Sequence, residues 1–381
     1  MTKVSEWKRM LQRLGAKEIP RTERLTPSGF VARPENSPAS KLARIGNISS
    51  TGVYLVTDER WPLGELITLI LQGEASPEDS PELQIAVQAR VIRHGEDGMG
   101  LSFVLPKGLD LNLWGVLIRN AVVMPEQKDV LFMFRMLRTI LFLCRICQAA
   151  ASEAIQLFGG ELSGPRTENA LEIALGAELL LDFEPDADRM RAHPQTVASI
   201  LRSGSWANDD LIKQLWIGLL ASSCTLEGTD ESNNAFVDLL FNVTPNQGRI
   251  FVAACNRAME SASKEENLPR NRAVFTPEEI SRVADLHDLS RIATDIAYLF
   301  QYGLAEKNFD FTSYLPTESF DITPSRLGLE LFKKCKGNLI KPHSRLLDES
   351  EGAEPVPQSF RAAVYEVTLP LPLPEVDDEG P

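Results

Sequence analysis

Residues 83–91 read LQIAVQARV, and their alternation limits the fold more than any other stretch of the chain. Leu83, Ile85, Val87, Ala89 and Val91 share one face, while Gln84, Gln88 and Arg90 take the other. A period of two predicts a strand with one side buried and the other in water. Five neighbouring segments, SGFVARP, LARIGN, GVYLVT, ELITLILQ and MGLSFV, are β-prone in the same way and are separated by turn signals. Six short strands in about eighty residues predict a small antiparallel barrel rather than an open sheet. Closure removes the edges that short strands would otherwise leave exposed. GEASPEDSPE, between the fourth and fifth segments, reads as a solvated loop.

From LDLNLWGVLIRN onward the period becomes helical. Residues 129–158 read as one long helix with apolar residues on more than one face, enough to pack on a core and to leave a surface for self-association. Further helices are expected near 168–182, 195–203, 209–225 and 232–241. In FTPEEI, Thr276 caps, Pro277 suits the first helical position and Glu279 completes a capping box. Thr244-Pro245 and Thr323-Pro324 repeat the Thr-Pro start, so three helices are expected to begin with one device. Leu289, Ile292, Ile296 and Leu299 recur at helical spacing before Gly303, a natural C-terminal stop. FDFTSYL and SFDI then read as a short hairpin before a last helix. Helix, helix, hairpin, helix is a winged-helix-like order. DESEGAEPVPQ and LPLPLPEVDDEGP read as a flexible acidic, Pro-rich tail, with a short strand at AAVYEVTL.

The expected plan is α+β and multidomain. A basic N-terminal helix and linker (1–24) precede a six-stranded antiparallel β-barrel (25–122). An α-helical domain (123–345) follows, its 245–337 part winged-helix-like, and the tail closes the chain (346–381). The net charge is −14, yet residues 1–44 hold ten Lys/Arg against four Glu. The acidic total disfavours nucleic acid as the main partner, because neutralising phosphates supplies most of that affinity. MTKVSEWKRMLQRLG lacks an apolar signal-peptide core, and no run reaches membrane-spanning length, so a cytoplasmic protein without a membrane span is expected. Cys144 and Cys147 form a lone C-x-x-C with no second pair nearby, and no metal site or cofactor is expected. His94, His193, His287 and His343 are scattered and no catalytic motif occurs, so no enzyme activity is expected.

The six-strand region carries Asn47-Ile48-Ser49-Ser50-Thr51-Gly52 between its second and third segments. With the downstream TDERWPLGELITLILQ and GMGLSFV in order, residues 17–120 resemble the PilZ domain, a bacterial module whose typical members bind cyclic di-GMP. The resemblance implies the motif Asp/Asn-x-Ser-x-x-Gly, complete here, and an Arg-x-x-x-Arg motif ahead of the first strand. In KEIPRTERLTP, Arg21 and Arg24 are three apart, and Lys17 and Arg21 have the family spacing with Lys in first place. The implied site is Lys17, Arg21 and Arg24 with Asn47, Ser49 and Gly52, and Lys41 and Arg44 add positive potential. Guanidinium groups pair bidentately with phosphate or the guanine O6/N7 edge and stack on bases. The Asn47 amide donates and accepts, Ser49 adds a hydroxyl, and Gly52 permits close backbone approach or a positive φ. The same residue types would also serve an ordinary β-turn.

LIKQLWIGLLASSC, NVTPNQGRIFVAAC, LSRIATDIAYLFQYGLAEK and DITPSRLGLELFKKC are similar to the helical module of Abi-alpha-like proteins, which are associated with abortive phage infection. The shared residues are structural, so the resemblance carries no site residues. Three functional readings stand at this point. The first is a cyclic di-GMP receptor or adaptor that relays ligand binding to the helical domain. The second is a ligand-free scaffold that binds an unidentified protein. The third is DNA binding by the winged-helix-like part, which Arg291 set against Asp288 and Asp295 disfavours.

Overall fold

The computed structural model describes residues 24–27, 30–35, 42–73, 84–106, 109, 114, 115, 118, 127–148, 151–158, 162, 164–182, 184, 186–264, 272–307 and 319–336. The chain divides into two units, residues 1–339 and 340–381, and every described residue lies in the first. The expected N-terminal helix, the strand at AAVYEVTL and the acidic tail lie outside the described residues.

All six expected strands form: β1 (Phe30–Pro34), β2 (Ala43–Ile48), β3 (Gly52–Val56), β4 (Leu66–Gly73), β5 (Gln84–His94) and β6 (Gly98–Phe103). They close into an antiparallel barrel in the order β1-β2-β3-β6-β5-β4, with β1 returning to β4. The alternation of β5 points Ile85, Val87, Ala89 and Val91 inward, each at most 3% exposed. Bulges interrupt the register between Ile45 and Asn47 and between Val91 and Arg93. Such bulges increase local twist and re-aim side chains. Trp114, fully buried, packs edge-on against Phe103 at 5.5 Å between ring centres.

The helical region begins with α1 (Gln127–Cys147) and α2 (Ala151–Gln156). These replace the single helix expected over 129–158, because Gln148 takes φ of 52°, a left-handed conformation that ends a helix. Two of the arginines in this apolar segment have acidic partners on α3 (Gly164–Asp182). Arg138 meets Glu178 at 2.5 Å, and Arg145 meets Asp182 at 3.4 Å. Burial pushes the Glu178 carboxyl above its ordinary pKa even with Arg138 beside it.

Next come α4 (Pro194–Gly204), α5 (Asp210–Ser222), α6 (Asn234–Phe241) and α7 (Pro245–Lys264). Asp209 caps α5, accepting from the backbone N–H groups of Leu211 and Ile212. Thr244 caps α7: its hydroxyl accepts from Gln247 N–H, and its own N–H donates to the Gln247 side chain. β7 (Val274–Phe275), α8 (Pro277–Ala284), α9 (Leu289–Gln301), β8 (Phe320–Asp321) and α10 (Arg326–Lys336) complete the described fold. The capping box of Thr276 and Glu279 is present. α9 ends as expected, with Gly303 at φ 71° and Leu304 N–H donating to Leu299 O.

Two expectations change here. α10 starts two residues later than the expected Thr323-Pro324 start, because Pro324 pairs in a bridge with Ala305 and Ser325 caps the helix through Gly328 N–H. The strand in SFDI forms, but its partner is Val274–Phe275 ahead of α8, with Phe275 opposite Phe320. FDFTSYL, the expected partner, lies outside the described residues. One apolar core runs from the barrel through α1 to α10. No described helix is long and apolar enough to cross a membrane.

Candidate functional site

The Asn-x-Ser-x-x-Gly segment forms the turn between β2 and β3. Ser49 N–H donates to Gly52 O at 2.8 Å, and the Ser49 hydroxyl reaches Gly52 O and the Thr51 hydroxyl, each at 3.3 Å. Gly52 has a direct steric cause. A Cβ there would sit 2.2 Å from the Leu101 carbonyl oxygen on β6. Close strand approach, rather than a positive φ, therefore requires this glycine. Ser49 and Gly52 thus have work inside the turn itself. Asn47 does not: its half-buried amide has no hydrogen-bond partner among the described residues.

Arg24 reaches this turn through the backbone. Leu25 N–H donates to Ile48 O and Ile48 N–H donates back to Leu25 O, both at 2.9 Å. This antiparallel bridge continues β2 on the side that β1 has left. Its register sets Arg24 abreast of Ser49 and Thr26 abreast of Asn47. Arg24 is exposed there. Lys17, Arg21 and Lys41 lie outside the described residues.

Arg44 is placed elsewhere. It pairs with Val56, at the end of the β2–β3 ladder away from the turn. Four residues of strand separate Val56 from Gly52, roughly 13 Å at the usual rise. Its charge acts on Asp97, in the turn between β5 and β6, together with that of Arg60. The Tyr54 hydroxyl donates to Asp97 Oδ1 at 2.7 Å. That bond is the main cause holding the Asp97 carboxyl below its usual pKa, and it pushes the Tyr54 phenol up. The Arg93 guanidinium lies over the Tyr54 ring, 5.6 Å from its centre. Asn47 sits opposite Tyr54, Tyr54 opposite Gly100, and Gly100 opposite Arg93. One outward row therefore joins the motif turn to the arginine of β5.

Sequence reasoning missed Tyr54, Arg93 and Asp97. Arg93 precedes the Gly-rich β5–β6 stretch GEDGMG and Asp97 lies within it, and that stretch reads only as a hairpin turn. Each is remote in sequence from the motif, and only strand order makes them its neighbours.

A closed six-stranded antiparallel barrel with this motif at its β2–β3 turn defines the class to which the N-terminal third is similar. The PilZ domain model matches residues 20–119, and the Abortive infection alpha model matches residues 167–326. The second match begins within α3, well ahead of LIKQLWIGLLASSC. The chain thus joins a barrel similar to the PilZ domain to a helical region similar to the Abortive infection alpha family. Neither matched family is an enzyme family. No curated protein and no solved structure matches the chain.

Proposed function

We propose that this protein is a cytoplasmic bacterial receptor in which the barrel binds cyclic di-GMP and the helical domain carries the signal to a protein partner or to a second copy of the chain. The Leu25–Ile48 bridge carries this reading, since its register sets Arg24 abreast of Ser49 on the motif turn, near the Asn47 amide, which has no hydrogen-bond partner among the described residues. Arg24 would pair with phosphate or stack on guanine, and Asn47 would hydrogen-bond the ligand. Lys17 and Arg21 would complete the basic arm from the segment just ahead.

A relay is supported at the same turn. A Cβ at Gly115 would meet Ser50 Cβ at 2.9 Å, so the motif turn packs directly on the segment holding the buried Trp114. That segment leads into α1. Ligand binding transmits through it only by favouring one arrangement of turn and helix over another.

The scaffold reading is favoured by one observation. Ser49 and Gly52 are accounted for by the turn and by β6, without a ligand. A winged-helix-like part is supported by the order α7, β7, α8, α9, β8 with β7 paired to β8. DNA binding by it is disfavoured, because Asp288 caps α9, and Tyr298 and Tyr302 stack near its C-terminal end. Calorimetry of the intact chain with cyclic di-GMP tests the receptor reading. Heat that disappears in Arg24→Ala supports it. No heat and no thermal shift at high ligand concentration overturn it and leave the scaffold.

A further inference from the structure

We infer that Arg93 and Asp97, steadied by Tyr54, form a guanine-reading shelf on the outer face of the barrel. It is a second lobe of the site whose first lobe is Arg24, Asn47 and Ser49, and it rests on the receptor reading above. Three observations converge. Arg93 lies along the barrel surface rather than out into solvent, because Gly100 leaves the space: a Cβ there would sit 2.9 Å from Arg93 Cγ and Nε. The guanidinium lies over the Tyr54 ring, and Arg93 is exposed, so a base can reach it from solvent. Arginine stacks on bases in this way. The shelf adjoins the motif directly, since Tyr54 is the cross-strand partner of Asn47.

Asp97 supplies the selectivity. Tyr54 donates to one lone pair of Oδ1, and the second lone pair of Oδ1 and both of Oδ2 have no side-chain donor among the described residues. Guanine presents N1–H and the 2-amino group side by side, two donors that one carboxylate accepts. Adenine presents an unprotonated N1 at the same place, which the carboxylate repels. An ionised Asp97 therefore accepts guanine and rejects adenine, and its depressed pKa keeps it ionised near neutrality. Arg44, also at this end of the barrel, is placed for a phosphate. Because Tyr54 stands opposite Asn47, the two lobes share one outward row, so a ligand with two bases can engage both.

The test uses the full chain and three probes: cyclic di-GMP, cyclic di-inosine monophosphate, which lacks both 2-amino groups, and cyclic di-AMP. The wild type is expected to prefer cyclic di-GMP over the inosine analogue by about tenfold. Asp97→Asn is expected to erase that preference, and Arg93→Ala to weaken both guanine-type ligands about tenfold or more. Tyr54→Phe keeps the ring but releases Asp97, and is expected to reduce the preference without unfolding the barrel. If the wild type binds cyclic di-GMP and all three variants match it on every probe, the shelf is wrong and the receptor reading stands. If the wild type binds none of the three, the receptor reading fails and the shelf fails with it.

Discussion

Gly52 belongs to the ligand motif, yet its geometry assigns it to the barrel, and replacing it separates the two roles. In Gly52→Ala the new methyl would lie 2.2 Å from Leu101 O and 3.2 Å from both Leu101 C and Ser102 Cα. All three are backbone atoms, so no side-chain rotation relieves the clash. An ordinary carbon–oxygen contact needs about 3.3 Å, so β3 and β6 must part by roughly 1 Å. The ladder there includes Phe103 N–H donating to Thr51 O at 3.0 Å, a bond that does not survive such a shift. Overpacking costs about 1–3 kcal/mol and a lost ladder bond about 1 kcal/mol. The lower chain entropy of alanine offsets about 0.4–1 kcal/mol through the unfolded state. The net expectation is a loss of about 2–3 kcal/mol, or roughly 4–12 °C in Tm for a cooperative unit of this size. Urea unfolding and differential scanning calorimetry read both quantities without ligand. A variant that melts within about 1 °C of the wild type would refute the steric account and return Gly52 to the ligand.

Four further outcomes follow from other parts of the fold. Thr276→Ala removes the hydroxyl half of the α8 capping box and is expected to cost about 1 kcal/mol in chemical denaturation. Arg257 hydrogen-bonds Glu279 through both carboxylate oxygens and is the main cause that holds its pKa below the ordinary 4.5. A depressed carboxylate stabilises the fold above its unfolded pKa, and that stability is lost as pH falls through the folded value. Glu279→Gln keeps the capping amide oxygen, so it should flatten the fall in Tm below about pH 4.5 while changing little at acid extremes. Gln148 holds φ of 52° between α1 and α2; Gln148→Gly should raise stability by up to about 1 kcal/mol, and a loss instead would show that its side chain matters. All five cysteines are buried, and burial pushes the Cys144 and Cys224 thiols up to about 12. A colourimetric thiol reagent at pH 8 should therefore react slowly with the folded chain and fully in denaturant, and rapid reaction of the native protein would contradict the packing of α1 and α5.

Much of this architecture was written locally. The alternation in β5, the Thr-Pro-Glu-Glu start of α8 and the glycine after α9 each act within a few residues. Their causes, the two-fold pleat, the unpaired first N–H groups of a helix and the steric freedom of glycine, are therefore visible in a line of letters. The same locality misled where a packing constraint intervened. Residues 129–158 have helical periodicity throughout, but Gln148 turns the chain. Thr323-Pro324 has the form of a helix start, but Pro324 is held in a bridge to Ala305, so Ser325 caps instead.

The candidate site divides along the same line. The motif turn could be read from residues 47–52 because a turn is made by adjacent residues. Arg24 joined it only through hydrogen bonds to Ile48. Arg44, close in sequence, went to the far end of the ladder. Arg93 and Asp97, more than forty residues away in the chain, became neighbours of Asn47 because β3 pairs with β6. Composition and spacing by themselves determined which segments became strands or helices and where most of them stop. Tertiary structure alone decided which strands pair and which charges face one another. Backbone hydrogen bonds between strands are indifferent to sequence separation, so barrel closure, not order in the chain, places the side chains of its outer face.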